Sequence, residues 1–476
     1  MTQSNLSPSL FFFIKKNIVY SLAIIFERSI VFLLLPLYTY VLLPAEYGIY
    51  AVLLSFISLA VFLYTMGIEN GLLKYSAETS DRTLLNSTTF WGMIVLAAFF
   101  SSLILLFSGN VSSILLKQKD YSPFVKIAAG ILFFDTVTRF FIYAIVGEQK
   151  SKIYLSISIL GGCLTILLNV YLLLFLHLGL RGVFFCHLFS SGIIALIVLI
   201  ASIRRIQLRF DLKILKKIFL FGYPVMFTSI SLVMLNFFDR YLLQVFTTTA
   251  EVGKYSAAYK IGMMMNVIVS AFSTGALPFI SHVLKDNKNE QELFSKLLSL
   301  LFCVMISVFT FLSFFTNEIV RIRIFGYYLI NSKYLDTINL VPIILLSYIF
   351  YGFYINFSLG IYHKEKTKVL SVITFIGFLI NLGLNLILIP PYSSAGAAFA
   401  TLISFLTMTI IMFFYTKKLL PIKYDWKNIS GLFFLSLFLY MLATILFNDI
   451  LFKICAYFLF QLLVLYYGIK SKVFVL

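Results

Sequence analysis

Fourteen stretches of this chain are apolar for long enough to cross the hydrocarbon of a bilayer, and most charged residues fall between them. A spanning helix needs roughly 20 such residues. The runs cover 17–43, 48–73, 84–108, 124–147, 153–176, 181–203, 219–246, 253–281, 294–316, 337–362, 367–389, 395–416, 430–447 and 450–468. In lipid each unpaired backbone group costs several kcal/mol, so runs this long predict helices that satisfy their own hydrogen bonds. Hydrophobic residues make up 61% of the chain against 12% charged, more apolar surface than a soluble domain could hide. The expected fold is therefore all-α and integral to a membrane, with about 14 transmembrane helices.

The chain also repeats itself. Ala45-Glu46-Tyr47-Gly48-Ile49-Tyr50 returns as Ala250-Glu251-Val252-Gly253-Lys254-Tyr255, 205 positions later. Lys150-Ser151-Lys152 with Asn169 returns as Lys366-Thr367-Lys368 with Asn385, 216 positions later, and both copies keep a gap of 17 from the second Lys to the Asn. Many secondary transporters are built from such duplicated halves. The most basic segment, Arg204–Lys217, separates the sixth run from the seventh. This gives an expected division into a six-helix bundle over 1–205, a basic linker over 206–218, a second six-helix bundle over 219–418, and two additional spans over 419–476.

Lys and Arg in the loops set orientation. With the N-terminus in the cytoplasm, 24 of the 37 basic residues fall on the cytoplasmic side, 9 on the opposite side and four within spans. Both termini are then cytoplasmic, both halves start on the same side, and the repeats are parallel. The net charge of +18 lies in short loops rather than along one face, so it does not point to nucleic acid. The seam could also bind anionic lipid headgroups, though the loop-charge rule suffices to explain it. The first apolar run is too long for a cleavable signal and lacks a small-residue cleavage site. Cys163, Cys186, Cys303 and Cys455, and the four scattered histidines, show no metal-ligand spacing, so neither a metal nor a cofactor is expected.

Ionisable groups at membrane depth are expensive and usually face a bundle interior or a wet cavity. Glu27 and Arg28 lie in the first run, Asp135 and Arg139 in the fourth, Asp239 and Arg240 in the seventh, Lys260 in the eighth, and Glu69 near the inner end of the second. Asp135 and Arg139 are one turn apart and can pair. Glu27–Arg28 and Asp239–Arg240 are sequence neighbours that point to different faces, so each charge is expected to find a partner elsewhere. Lys260 can snorkel to the outer interface. The functional reading is a cationic cavity between the halves. Arg28, Arg139, Arg240 and Lys260 would face an anionic cargo, since arginine binds phosphate oxygens through a planar fork and stays charged. Glu27, Asp135 and Asp239 would balance that charge or carry H⁺ or Na⁺. Asn169 and Asn385, in matching helices, are expected to make interhelical hydrogen bonds. Pro224 and Pro278 should bend their helices.

With those residues in view, the chain resembles the O-antigen, or polysaccharide-repeat-unit, flippases (Wzx type) of the MOP exporter superfamily. The resemblance covers the first twelve runs. It rests on Leu43-Pro44-Ala45-Glu46-Tyr47-Gly48-Ile49-Tyr50, Met66-Gly67-Ile68-Glu69-Asn70-Gly71 with Lys74-Tyr75, Gly222-Tyr223-Pro224, and Asp239-Arg240-Tyr241. It continues through Val252-Gly253-Lys254-Tyr255-Ser256-Ala257-Ala258-Tyr259-Lys260-Ile261-Gly262, and Asn385 to Pro390 before Ala395-Gly396-Ala397-Ala398. The resemblance implies two parallel MATE-like bundles in the bacterial inner membrane. It implies a cargo of undecaprenyl-pyrophosphate-linked oligosaccharide, moved from the inner to the outer leaflet without covalent chemistry. Membrane lipids, and polysaccharide polymerase and chain-length machinery, would be its neighbours.

Two other readings stay open. A multidrug or small-molecule exporter on the same fold would carry cations in an acidic cavity, against which the basic residues at depth count. A membrane polysaccharide polymerase would display a sizeable outer catalytic loop, whereas the longest outer loop, near 317–336, holds Arg321 and Arg323 without a convincing acid–base set. A Major Facilitator transporter normally has a glycine- and arginine-rich signature after its second span, which Ser76-Ala77-Glu78-Thr79-Ser80-Asp81-Arg82 does not match.

Overall fold

The structure is a computed structural model that describes residues 19, 22–23, 25–30, 32–76, 78–79, 81–202, 206–286, 290–324, 327–363, 366, 368–446 and 449–471. It is built almost wholly from helices. Among the described residues, eleven of them are long and apolar enough to cross a membrane. This number is compatible with fourteen spans. The helix Lys368–Leu419 bends at Ser393 and covers two of the expected runs, the run 253–281 is interrupted at Met263, and the run 17–43 lies partly outside the described residues. Among the expected features, Lys15, Lys16, Arg204, Arg205, Lys288, Lys364 and Lys472 also lie outside them.

The chain divides into two compact units, Met1–Gly253 and Lys254–Leu476. In the first, α1 (Leu35–Val41) leads into α2 (Pro44–Thr65). The start of α2 follows from local chemistry. Pro44 fits the first helical turn, where its missing N–H costs nothing, and the Leu43 N–H donates to the Glu46 carboxylate at 2.9 Å. Met66 and Gly67 then adopt left-handed backbone, φ 46° and 75°, and the chain restarts as α3 (Ile68–Tyr75). The expected second span is therefore two helices. Its break is invisible to hydropathy because the interrupting residues are apolar.

The unit continues with α4 (Arg82–Leu106), α5 (Ser108–Leu116), α6 (Ser122–Gly147), α7 (Ser151–Val170), α8 (Gly179–Ser202) and α9 (Leu212–Phe246), which contains Pro224. Its core gathers Ile68 and Leu72 of α3, Leu85, Phe90 and Met93 of α4, Phe140 and Phe141 of α6, Val198 of α8 and Ile218 of α9. The basic segment is no free linker. Gln207 N–H donates to Ser87 Oγ, Asp211 N–H to Thr88 Oγ1, and Trp91 Nε1 to Gln207 O, which straps residues 207–211 along α4. From Leu212 onward the segment is already α9, which Asp211 caps through the N–H groups of Lys213 and Ile214. The border between the compact units, at Gly253, thus falls later than the expected basic seam.

Apolar side chains gain little by leaving lipid for one another, so helix association leans on close backbone approach at small residues. Glycines provide it here. A Cβ on Gly222 would fall 1.9 Å from Gly67 O, and one on Gly71 would fall 2.3 Å from Ile218 O, so α3 lies directly on α9. The repeated motif does the same with itself. A Cβ on Gly48 would fall 1.8 Å from Thr249 O, and one on Gly253 would fall 1.9 Å from Pro44 O. Gly48 and Gly253 are 205 positions apart, and so are Pro44 and Thr249. The two contacts are images of each other under the duplication.

The second unit begins within α10 (Thr249–Gly262) and holds α11 (Met264–Asp286), α12 (Glu290–Val320), a short hairpin of β1 (Arg323–Ile324) with β2 (Tyr327–Tyr328), a 3₁₀ turn over Ser332–Leu340, α13 (Val341–His363) and α14 (Lys368–Leu419). The last two helices, α15 (Trp426–Met441) and α16 (Ile450–Lys470), pack on α12. Near one end the buried Lys453 pairs with Glu318 at 2.7 Å, and near the other Tyr467 OH donates to Ser299 Oγ at 2.9 Å.

Candidate functional site

Six of the seven candidate residues belong to the first unit. Glu27 and Arg28 lie on the helical residues 25–30, where Arg28 is half-buried. Ser158 Oγ of α7 donates to Glu27 Oε1 at 2.5 Å. Asp135 and Arg139 lie on α6, both half-buried. Their i,i+4 spacing does not produce an ion pair among the described residues. Ser191 Oγ of α8 donates to Asp135 Oδ1 at 2.6 Å instead. Arg139 is drawn electrostatically to Glu69 of α3. Glu69 is 3% exposed, and its Oε1 accepts from Thr65 Oγ1 at 3.0 Å while its Oε2 has no hydrogen-bond partner among the described residues. The left-handed turn at Met66–Gly67 makes this possible, since it returns Glu69 beside Thr65 at the head of a new helix.

Asp239 and Arg240 correct the sequence expectation. Adjacent positions on a helix do point apart, yet Arg240 Nη1 reaches back to Asp239 Oδ1 at 2.7 Å, and the Arg240 N–H donates to the same oxygen at 2.8 Å. The Cβ directions differ as expected, but the long arginine stem curls round the helix. It also brings Nη1 to Asn236 O. Asp239 is fully buried and Arg240 is 5% exposed, so the pair is desolvated. Lys260, on α10 in the second unit, has a buried Nζ.

The first unit also holds a buried polar nest that sequence reasoning did not assemble. Asn169 Nδ2 donates to Cys186 Sγ at 2.9 Å and to Thr165 O at 2.8 Å. Its expected role in joining helices is what the structure places there, between α7 and α8. In the second unit Asn385 Nδ2 donates to Asn381 Oδ1 within α14 at 2.9 Å. The one signal in the sequence was the repeated Asn. Cys186 carries no pattern that marks it as its partner. Among the described residues no group of His, Cys, Asp and Glu could hold a metal ion. What the arrangement offers is a set of cations and carboxylates on apolar helices, with Glu27, Asp135 and Glu69 held by hydroxyl donors and Asp239 by Arg240.

The model of the family described as polysaccharide biosynthesis protein matches residues 13–284, more than half of the 476-residue chain. This chain belongs to the polysaccharide biosynthesis protein family. A second family model, MatE, matches residues 224–387 of this family member. Among curated relatives, a putative O-antigen transporter of Shigella flexneri is 22% identical, over 79% of this chain and 90% of that one. An uncharacterized membrane protein of Methanocaldococcus jannaschii is 23% identical, over 92% of this chain and 90% of that one. Among solved structures, lipid II flippase MurJ in an inward closed conformation superimposes with TM-score 0.78 at 17% identity, covering 96% of this chain and all of the other. The Wzx-like, MOP-superfamily affiliation read from the motifs is thus upheld, and the shared fold is that of MurJ and the MATE exporters.

Proposed function

We propose that this family member is a flippase for an undecaprenyl-pyrophosphate-linked oligosaccharide, moving it from the cytoplasmic to the periplasmic leaflet of a bacterial inner membrane. The family match across residues 13–284 carries this reading. The physical need is clear. A pyrophosphate with several sugars cannot cross hydrocarbon unaided, because its polar groups lose their partners there. Arg28, Arg139, Arg240 and Lys260 supply cations for the pyrophosphate or for acidic sugars, while the isoprenoid tail stays in lipid. Glu27, Asp135 and Asp239 balance that charge or take up the coupling ion, H⁺ or Na⁺. The bundles over 1–205 and 219–418 rock to alternate access, the segment 206–218 joins them, and the helices of 419–476 ride along. Both termini lie in the cytoplasm, as the loop charges indicate. Polymerase and chain-length machinery take over the flipped unit.

The test is charge removal in cells. Arg28→Gln with Arg240→Gln should abolish surface polysaccharide while the protein persists in the membrane. Normal surface glycan at normal protein level would retire the cation role. A multidrug exporter is the second reading, favoured by the MatE match over 224–387. It would show itself as drug susceptibility on deletion with surface glycan intact.

A further inference from the structure

The helix ends at which α3 stops and α9 starts carry a cluster to which the proposed transport assigns no role. Lys74 Nζ of α3 stands 4.2 Å from the Phe221 ring centroid on α9, and Lys217 Nζ of α9 stands 4.2 Å from the Tyr75 ring centroid on α3. The two rings meet edge to face, 6.0 Å apart. Each lysine is therefore laid across the aromatic ring of the opposite helix. The helices themselves are locked by the glycine–carbonyl contacts at Gly67–Gly222 and Gly71–Ile218.

This arrangement brings positive charges together without neutralising them. Among the described residues, neither Lys74 nor Lys217 forms an ion pair, and neither do Lys213 and Lys216 on the same turns of α9. Lys213 and Lys217 are i,i+4, a spacing at which like charges repel. Carboxylates on these and neighbouring elements are engaged elsewhere: Glu69 accepts from Thr65 Oγ1, Asp211 caps α9, Asp81 caps α4, and Glu148 pairs with Lys150. Glu78 is exposed and forms no ion pair. Retention of a loop on one side of a membrane needs positive charge, but it does not need two ammonium groups crossed over a rigid aromatic pair. Such a pair fits an anionic phosphate at headgroup level, where the apolar parts of α3 and α9 give way to their polar ends.

We propose that Lys74, Tyr75, Lys217 and Phe221 form a binding site for the phosphate of a lipid headgroup. Two sources offer that chemistry, an anionic phospholipid of the bilayer or the pyrophosphate lipid of the proposed function. Only the second rests on that reading. The test uses the purified full chain in detergent and tail-labelled phosphatidylglycerol, followed by fluorescence anisotropy, with tail-labelled phosphatidylcholine as control. The double variant K74Q/K217Q should bind phosphatidylglycerol about thirtyfold more weakly, the worth of two lysines at a membrane surface. K74R/K217R keeps both charges and should restore binding, which separates the site from a folding defect. K119Q, which alters a basic residue distant in sequence from the cluster, should change nothing. Competition by undecaprenyl pyrophosphate at lower concentration than unlabelled phosphatidylglycerol would assign the site to the cargo, and equal competition would assign it to any lipid phosphate. Either result supports the site. Equal binding by wild type and K74Q/K217Q, or no saturable binding by wild type, would overturn it. Lysine-dependent binding by a chain whose deletion leaves surface glycan intact would retire the flippase reading and keep the site.

Discussion

At the scale of single residues, the sharpest feature is the pair Asp239–Arg240, adjacent in sequence and closed into one desolvated unit. Removing one partner of a buried pair strands the other, at about 3–5 kcal/mol, whereas removing both together is far milder. Asp239→Asn alone and Arg240→Gln alone should each lower the melting temperature of the purified protein. The double substitution should recover most of the loss. A double variant as unstable as the sum of the singles would show that the two charges act independently. The sequence announced that charges sit at depth, because an Asp or Arg inside an apolar run is conspicuous. It did not announce their partners. Ser158 and Ser191 are two serines among many, and only the packing of α7 and α8 selects them for Glu27 and Asp135. Arg240 shows a second reason, since its flexible stem reverses the direction that helix geometry assigns to the Cβ.

At the scale of elements, the helices were legible and their interruptions were not. Hydropathy finds a run of apolar residues but is blind to a left-handed turn made by Met66 and Gly67, or to the bend at Ser393. The repeated Gly48 and Gly253 were visible as a motif, yet their meaning required coordinates: each is the gap into which a carbonyl of the other copy fits. Gly48→Val or Gly253→Val should each displace the helix start by forcing a side chain into a backbone oxygen. Overpacking of this kind costs about 1–3 kcal/mol or more. Fluorescence-detected size exclusion after heating should show both variants losing monodisperse protein at lower temperature, and by similar amounts because the sites are images of each other. A large loss in one and none in the other would break that equivalence.

At the scale of the whole molecule, composition alone pointed to an integral membrane protein, and the ordered set of motifs from Leu43 to Ala398 carried a resemblance that the family match over 13–284 upholds. Orientation can be checked directly. Single cysteines at Lys119 and Lys216, in a background with Cys163, Cys186, Cys303 and Cys455 replaced, should label from opposite sides with a membrane-impermeant maleimide. Lys216→Cys should react only in inside-out vesicles and Lys119→Cys only in right-side-out ones. The reverse pattern would invert the assignment from loop charges. The duplicated halves and the compact units are different divisions of the molecule. Sequence similarity marks where copies begin, whereas compactness follows packing, and α9 packs on α2 and α3 of the first unit.

The mirrored contact between Gly48–Thr249 and Gly253–Pro44 is reciprocal. A half-length polypeptide carrying only one copy of the segment would display a notch and a matching oxygen on one surface. Two such polypeptides would dock by that surface in a self-complementary, twofold manner, each filling the other. In this chain both halves of that reciprocal fit are carried by one polypeptide, within a single compact unit.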